Sequence, residues 1–255
     1  MHFDTPSLRE GWIGYRFNDS HRLQIGLTTF PFGILPYTGN NYFFNLNYYV
    51  GLEDDADIGI KYLFHKDRWE LSFAYFQNAD LSGTGGDSEL SASRYAYDIA
   101  GRDKEAHQGN IRVAYHFGTR WKHQLGGSVL MGGLYNMDTR KTGLRTAFAL
   151  HYVANYRRWI LKMQYTNYNL RPVRASGEDR HVVTMAAYGS SYRIASRADT
   201  YTVSLSYRIP VNRLCLDDIF LYNDFSLLNK RAAGFNDSLE NVTGCSLAMG
   251  KVFAY

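Results

Sequence analysis

Apolar side chains recur at every second position in several stretches of this 255-residue chain. Residues 200–209 show the pattern most clearly. Their apolar positions are Tyr201, Val203, Leu205, Tyr207 and Ile209, and their polar positions are Thr200, Thr202, Ser204, Ser206 and Arg208. Successive side chains of a β-strand point to opposite faces, so this period predicts strands with one apolar and one polar face. The helical spacing i, i+3, i+4, i+7 is never sustained.

The alternation marks about eleven segments, each near the ~9 to 11 residues that a tilted strand needs to cross a bilayer. We therefore predict about 11 to 13 antiparallel strands, with residues 182–194 as an ambiguous extra strand. Short, charged turns alternate with long loops at residues 33–56, 79–106, 171–198 and 229–241. Tight turns at one end and long loops at the other are typical of outer-membrane barrels. The pattern predicts an all-β, antiparallel transmembrane β-barrel.

Aromatic residues make up 16% of the chain and cluster at the ends of the predicted strands. The clusters include Trp12, Tyr15, Phe17, Trp69, Tyr115, Phe117, Trp121, Tyr156 and Trp159. Membrane barrels carry aromatic girdles at both bilayer interfaces, whereas a soluble sandwich buries its aromatic residues centrally. This favours the membrane barrel over a soluble antiparallel sheet, which remains the alternative. A helical membrane protein is excluded because no apolar run approaches ~20 residues.

The composition also argues against several functional classes. The basic residues, 28 against 24 acidic ones, are scattered rather than clustered, so we expect no nucleic-acid partner. The eight histidines fall singly, and no hydrolase, zinc-protease or phosphate-loop motif occurs, so we expect no enzyme, catalytic residue or cofactor. Cys215 and Cys245 lack metal-ligand spacing, so we predict no metal site. A hairpin places them roughly 27 Å apart, too far for a disulfide.

If the apolar faces contact lipid, the alternate faces line the pore. The predicted pore-lining residues are Arg22, Lys61, Glu70, Arg112, His116, Arg145, His151, Lys162 and Arg208. On these faces the basic residues outnumber the acidic ones, which are Asp57 and Glu70. A basic wall concentrates anions, so we predict a weak anion preference. The alternative is that loop carboxylates fold inward and pair with the basic residues.

The loop at residues 33–56 is a candidate constriction loop. Its candidate residues are Tyr37, Asn41, Tyr42, Asn45, Tyr48, Glu53 and Asp54. A long loop folded inside a wide barrel sets the pore diameter, and these side chains offer stacking and hydrogen bonds to a solute. The alternative is an external loop packed on the barrel rim.

Two motifs resemble those of a known family. They are QIGLTTFPFG at residues 24–33 and GLEDDADIGIKY at residues 51–62, and YNDFS at residues 222–226 adds a later match. In these motifs the chain resembles the Gram-negative outer-membrane porins of the phosphate-selective O and P type, in the large β-barrel porin superfamily. The resemblance implies a barrel of about sixteen strands, which passes small anionic or neutral solutes by diffusion. It further implies a homotrimer in contact with outer-membrane lipid and lipopolysaccharide.

The start of the chain shows no signal peptide, and fewer strands are recognisable than the family has. We therefore expect residues 1–255 to be a single barrel domain that is part of a longer chain. The predicted function is a water-filled channel in the outer membrane for small hydrophilic solutes. The alternatives are a barrel sealed by its loops, acting as a binding or structural protein, and a barrel hydrolase.

Overall fold

The computed structural model describes residues 8–78, 95–213, 216–232, 234–250 and 252–255. Its elements are β1 (Gly11–Arg16), β2 (His21–Thr29), α1 (Leu46–Tyr49), β3 (Ala56–Lys66), β4 (Trp69–Asn78), β5 (Asp98–Ala100), β6 (Asp103–Phe117), β7 (Trp121–Asn136), β8 (Lys141–Tyr156), β9 (Trp159–Arg171), β10 (Val182–Ala187), β11 (Ser190–Ala195), β12 (Arg197–Arg213), β13 (Leu216–Lys230), β14 (Ser238–Met249) and β15 (Val252–Ala254). The all-β fold class predicted from the sequence is confirmed.

Twelve strands form one antiparallel sheet in the order β1-β2-β3-β4-β6-β7-β8-β9-β12-β13-β14-β15. Neighbouring strands are joined in chain order, as in a meander. Their number agrees with the predicted range. Across the described ranges, no pairing joins β1 to β14 or β15.

The remaining three strands form a second sheet in the order β11-β10-β5. The ambiguous segment 182–194 is therefore a hairpin of this second sheet and adds no strand to the main one. Val183 and Met185 of this hairpin are fully buried. Much of the predicted loop 79–106 lies outside the described residues.

The predicted last strand, residues 245–255, differs from the structure. The chain turns at Gly250, where φ is 60°, and β15 folds back on β14. Glycine adopts this left-handed conformation at little cost, which permits the turn. In the β13–β14 pairing Cys245 lies opposite Leu221 and is a free thiol. Cys215 lies outside the described residues.

The main sheet has one polar, buried face and one apolar, exposed face. On β12, Thr200, Thr202, Ser204 and Ser206 are buried, whereas the alternating residues Tyr201, Val203 and Leu205 are 46%, 37% and 42% exposed. We call the first side the enclosed face and the second side the outer face. A water-soluble protein buries its apolar residues preferentially, so this arrangement is the reverse of that of a soluble sheet.

Aromatic rings lie on the outer face at the short-turn ends of the strands and again further along them. At the end with the short turns, Trp121 stacks on Tyr156 at 4.1 Å between ring centroids, and Trp159 lies 4.7 Å from Tyr207. In the middle of β9, on the way toward the long loops, Tyr165 lies 5.2 Å from Tyr201 of β12. The predicted aromatic clusters at strand ends are therefore present. Among the described residues, no helix is long and apolar enough to span a bilayer.

Candidate functional site

Residues 30–55, which connect β2 to β3, lie against the enclosed face of the main sheet, and we call them the inner loop. Among the described residues, their hydrogen-bond partners include residues of six strands of the main sheet, β6, β7, β8, β9, β12 and β13, and Tyr192 of β11 in the second sheet. Gly33, for example, bonds to two of these strands. Its N–H donates to Ser128 Oγ of β7 at 3.0 Å, and its carbonyl accepts from Arg112 Nε of β6 at 2.8 Å. The sheet therefore curves around the loop as the wall of a barrel.

Apolar side chains explain why part of the loop leaves water. Phe30, Phe32, Val50 and Leu52 of the loop join a buried cluster with side chains of the wall and of the second sheet. The other members include Leu130, Leu134, Tyr168, Leu170, Met185 and Leu228. Each fully buried large apolar side chain contributes roughly 1.5 to 3 kcal/mol. The long-loop end of the enclosed space is therefore filled by an apolar core.

Asp224 of β13 is the most heavily bonded acidic side chain facing the loop. Its Oδ2 accepts the backbone N–H groups of Asn40 at 2.6 Å and Asn41 at 2.9 Å, and the Asn41 side-chain amide at 2.7 Å. Its Oδ1 accepts from Ser204 Oγ at 2.6 Å and from the Asn40 amide at 3.1 Å. A carboxylate held by several donors makes strong, charge-assisted hydrogen bonds. This contact fastens the middle of the loop to the wall.

Basic side chains of the wall bind backbone carbonyls of the inner loop. Arg112 Nε donates to Gly33 O, Lys162 Nζ to Tyr37 O and Arg145 Nη2 to Gly51 O, each at 2.8 Å. Lys61 Nζ donates in the same way to Thr29 O, at the end of β2. These hydrogen bonds go to backbone carbonyls, and in addition the buried loop carboxylate of Glu53 attracts the Lys162 ammonium, as in the predicted alternative of pairing with loop carboxylates.

The enclosed face also carries acidic residues that the sequence analysis did not count. Arg145 forms an ion pair with Glu105, and Arg208 Nε lies 2.7 Å from Asp218 Oδ1. Asp224 and Asp103 are buried as well. The predicted excess of basic over acidic residues on this face was therefore too large. The strand periodicity of β13 was weak enough for its acidic positions to be missed.

The predicted pore-lining residues fall into three groups by exposure. Arg112, Arg145 and His151 are buried, whereas Lys61, Glu70, His116 and Lys162 are half-buried and Arg22 and Arg208 are exposed. His151 lies over Gly126, and neither of its ring nitrogens has a hydrogen-bond partner in the described part of the chain. Most of these residues thus lie on the enclosed face. Arg112, Arg145 and His151 are shielded from water there, whereas Arg22 and Arg208 are open to it.

The predicted loop residues are placed less uniformly. Asn41, Asn45, Tyr48, Glu53 and Asp54 are buried, and Tyr37 is half-buried. Tyr42 differs from the expectation, because its ring is 59% exposed and lies 6.2 Å from the ring of Tyr255.

Two acidic side chains of the loop are buried. Glu53 accepts hydrogen bonds from Asn45 Nδ2 at 2.7 Å and from the Thr38 N–H at 3.3 Å, and burial raises its pKa. Asp54 pairs with Arg9 at 2.5 Å, and burial raises its pKa despite this partner. Both groups thus favour their protonated forms more strongly here than in water.

The carboxylates of Asp55, Asp57 and Asp98 lie within 4.8 Å of one another and are buried. Carboxylate oxygens suit Ca²⁺ or Mg²⁺, but Ca²⁺ takes six to eight oxygen ligands. Gln108 Nε2 approaches Asp57 at 3.4 Å, and the Ile99 N–H donates to Asp98 at 2.6 Å. The sequence did not predict this cluster, because β3 and β5 meet only in the tertiary structure.

The sequence matches no protein-family model and no curated protein. Among solved structures, it is similar to the crystal structure of Pseudomonas aeruginosa OccK2 (OpdF). The identity is 12%, the TM-score is 0.32, and the match covers 91% of this chain and 74% of that chain. So distant a likeness carries no functional argument, and the function is argued from the geometry of this chain.

Proposed function

We propose that this protein is a β-barrel channel of the Gram-negative outer membrane whose pore is closed by the inner loop in the resting state. The observation that carries this proposal is the reversed polarity of the sheet. Apolar side chains cover the outer face, as lipid requires, and hydroxyl, amide and charged side chains cover the enclosed face except at its long-loop end, where the apolar core lies. A soluble barrel has no physical reason to expose its apolar faces in this way.

The closed resting state follows from the position of the loop. Asp224, Arg112 and Lys162 hold the loop at points spread over three strands, and the apolar cluster fills the long-loop end. Small hydrophilic solutes pass only when these contacts open. Water can replace the polar contacts of the loop more readily than its apolar contacts. The loop therefore opens first in its middle, where Asp224 holds Asn40 and Asn41.

Anion preference belongs to the open state. When the loop moves away from the wall, Lys162 loses the uncharged carbonyl of Tyr37, and its amine then faces the pore, whereas Lys61 keeps its bond to Thr29 O at the end of β2. Arg145 and Arg208 remain paired with Glu105 and Asp218, so the net effect on ions is small. We propose a weak preference for small anionic or neutral solutes. A homotrimer in lipid and lipopolysaccharide remains a prediction from the family resemblance.

The test is single-channel recording in planar bilayers. We expect rare openings from the wild type and a higher open probability from Asp224→Ala, because the loop loses its strongest anchor. Asp19→Ala, which removes a fully exposed carboxylate in the turn between β1 and β2, is the control and leaves the open probability unchanged. In a tenfold KCl gradient, Lys162→Gln lowers the anion-signed reversal potential of the open channel, whereas Lys66→Gln, at the exposed end of β3 on the outer face, does not.

The apolar core inside the wall favours a second candidate function, a sealed barrel that binds a partner or serves a structural role. In that case Asp224→Ala inserts into bilayers without conducting. If the wild type and Asp224→Ala both insert into the bilayer without conducting, the protein is a sealed barrel and the channel proposal is wrong.

A further inference from the structure

A row of polar side chains crosses adjacent strands at the short-turn end of the enclosed face. His65 of β3 lies directly opposite Glu70 of β4, and Gln124 of β7 lies directly opposite His116 of β6. Glu70 in turn lies opposite Ala114, two positions before His116 on the same face of β6. The register therefore brings two imidazoles and one carboxylate together from three neighbouring strands.

One oxygen of Glu70 faces both histidines. Glu70 Oε1 lies 2.9 Å from His116 Nε2 and 3.8 Å from His65 Nδ1. The other oxygen, Oε2, accepts a hydrogen bond from Arg112 Nη1 at 3.3 Å, which orients the carboxylate. The side chains of His65, Glu70 and His116 are 63%, 33% and 39% exposed, so a hydrated ion can reach them.

We propose that His65, Glu70 and His116 form a binding site for a divalent transition-metal cation, represented by Zn²⁺. Two histidines and one carboxylate are a ligand set that Zn²⁺ accepts. Ligand atoms ~2.1 Å from a tetrahedral ion lie about 3.4 Å apart. The two distances to Glu70 bracket this value, but the ligand atoms of His65, Glu70 and His116 do not all lie within 4.8 Å of one another, so one imidazole has to move inward. His65 is the ligand that moves on binding, and its exposure allows this movement.

The surroundings complete the coordination and define its selectivity. Gln124 Nε2 lies 3.3 Å from His116 Nε2, so a rotated Gln124 amide oxygen, or a water molecule, supplies the fourth ligand. Imidazole ligands favour Zn²⁺, Cu²⁺ or Ni²⁺ over Mg²⁺ and Ca²⁺, which prefer oxygen. The positive charge of Arg112 lowers the affinity without blocking the site, because Arg112 binds the far oxygen of Glu70.

The experiment is calorimetric titration of ZnCl2 into the full chain folded in detergent micelles. We expect saturable binding of Zn²⁺ by the wild type, whereas MgCl2 in its place gives no binding that is lost in His65→Ala. His65→Ala and His116→Ala each weaken binding at least about tenfold, the lower end of what even outer-shell changes cost at metal sites. His181→Ala, an exposed histidine outside the row, is the matched control and binds Zn²⁺ as the wild type does.

Circular dichroism verifies that each variant keeps the β-rich fold. As a second readout, Co²⁺ gives visible absorption bands of a four-coordinate site in the wild type, and Glu70→Gln loses them. The proposal is overturned if the wild type shows no saturable Zn²⁺ binding, or if either histidine variant binds as tightly as the wild type. Channel conductance plays no part in this test, so its result is independent of the proposed transport function.

Discussion

The carboxylate of Asp224 accepts both the backbone N–H and the side-chain amide of Asn41, at 2.9 and 2.7 Å. The two residues are 183 positions apart in the sequence. Asp224 belongs to the wall and Asn41 to the inner loop, so this contact joins the two. In the proposed gating, its strength sets how often the loop moves away from the wall.

Asp224→Asn weakens the docking of the inner loop. A neutral amide cannot accept the same set of charge-assisted hydrogen bonds, each of which contributes about 1.5 to 3 kcal/mol. Hydrogen exchange followed by mass spectrometry should show faster exchange of the amides of Asn40 and Asn41, while the amides of β7 and β8 stay protected. Equal exchange in both proteins would mean that Asp224 does not hold the loop.

Acid strengthens the closed state through Glu53. Burial raises the pKa of Glu53 above its ordinary value of 4.5, so the docked loop favours the protonated carboxyl. Docking is therefore strongest below pH 4.5 and weakens as the pH rises through the raised pKa. We expect the open probability to rise with pH in the wild type.

Glu53→Gln removes the titrating group while keeping an amide oxygen that accepts from Asn45. The open probability of this variant should stay at the low, acid-like value across the same pH range, apart from a residual slope due to Asp54. A wild-type channel that closes on alkalinisation would contradict the assigned sign.

Leu205→Arg distinguishes a membrane barrel from a soluble one. Leu205 lies on the outer face between the aromatic residues Tyr201 and Tyr207, which are about 20 Å apart along the strand. An arginine facing the bilayer midplane costs about 2 to 4 kcal/mol, and less toward the interface. Urea titration of the protein folded in vesicles should show this loss of stability.

Leu239→Arg is the control for position, because Leu239 is 65% exposed near the start of β14, at the long-loop end. Its loss of stability should be much smaller. If Leu205→Arg folds in water with unchanged stability and does not require lipid, the soluble alternative is correct.

Gly126 makes room for His151. A Cβ atom on Gly126 would lie 2.5 Å from the His151 ring and 2.6 Å from the Val113 carbonyl oxygen, so Gly126→Ala forces the ring or the strand to shift. Overpacking of this kind costs about 1 to 3 kcal/mol, measurable in the same urea titration. Adding His151→Ala to Gly126→Ala should recover part of the loss.

The neighbouring Gly127 provides a matched control on the other face of β7. A Cβ there would meet Leu150 Cδ2 at 3.5 Å, an ordinary contact, so Gly127→Ala should cost little. Equal losses at both glycines would show that strand propensity, rather than the His151 contact, sets the effect.

The periodicity of the strands was sufficient to predict most of the wall. The alternation from Thr200 to Ile209 fixes which side chains share a face, whichever solvent each face meets. The short strands β5, β10 and β11 were missed or ambiguous, because three to six residues in a long loop carry too few alternations to stand out. The turn at Gly250 likewise left no clear signal.

The sequence by itself determined the all-β class, the polarity of the two faces and the aromatic ends of the strands, because each depends on residues adjacent in the chain. Only the tertiary structure decided where the inner loop lies and which acidic side chains pair with the basic residues of the wall. Asp224 meets Asn40 across 184 positions, and Glu70 meets His116 across a strand pairing. Contacts of that kind depend on the register and curvature of the whole sheet, which no local pattern specifies.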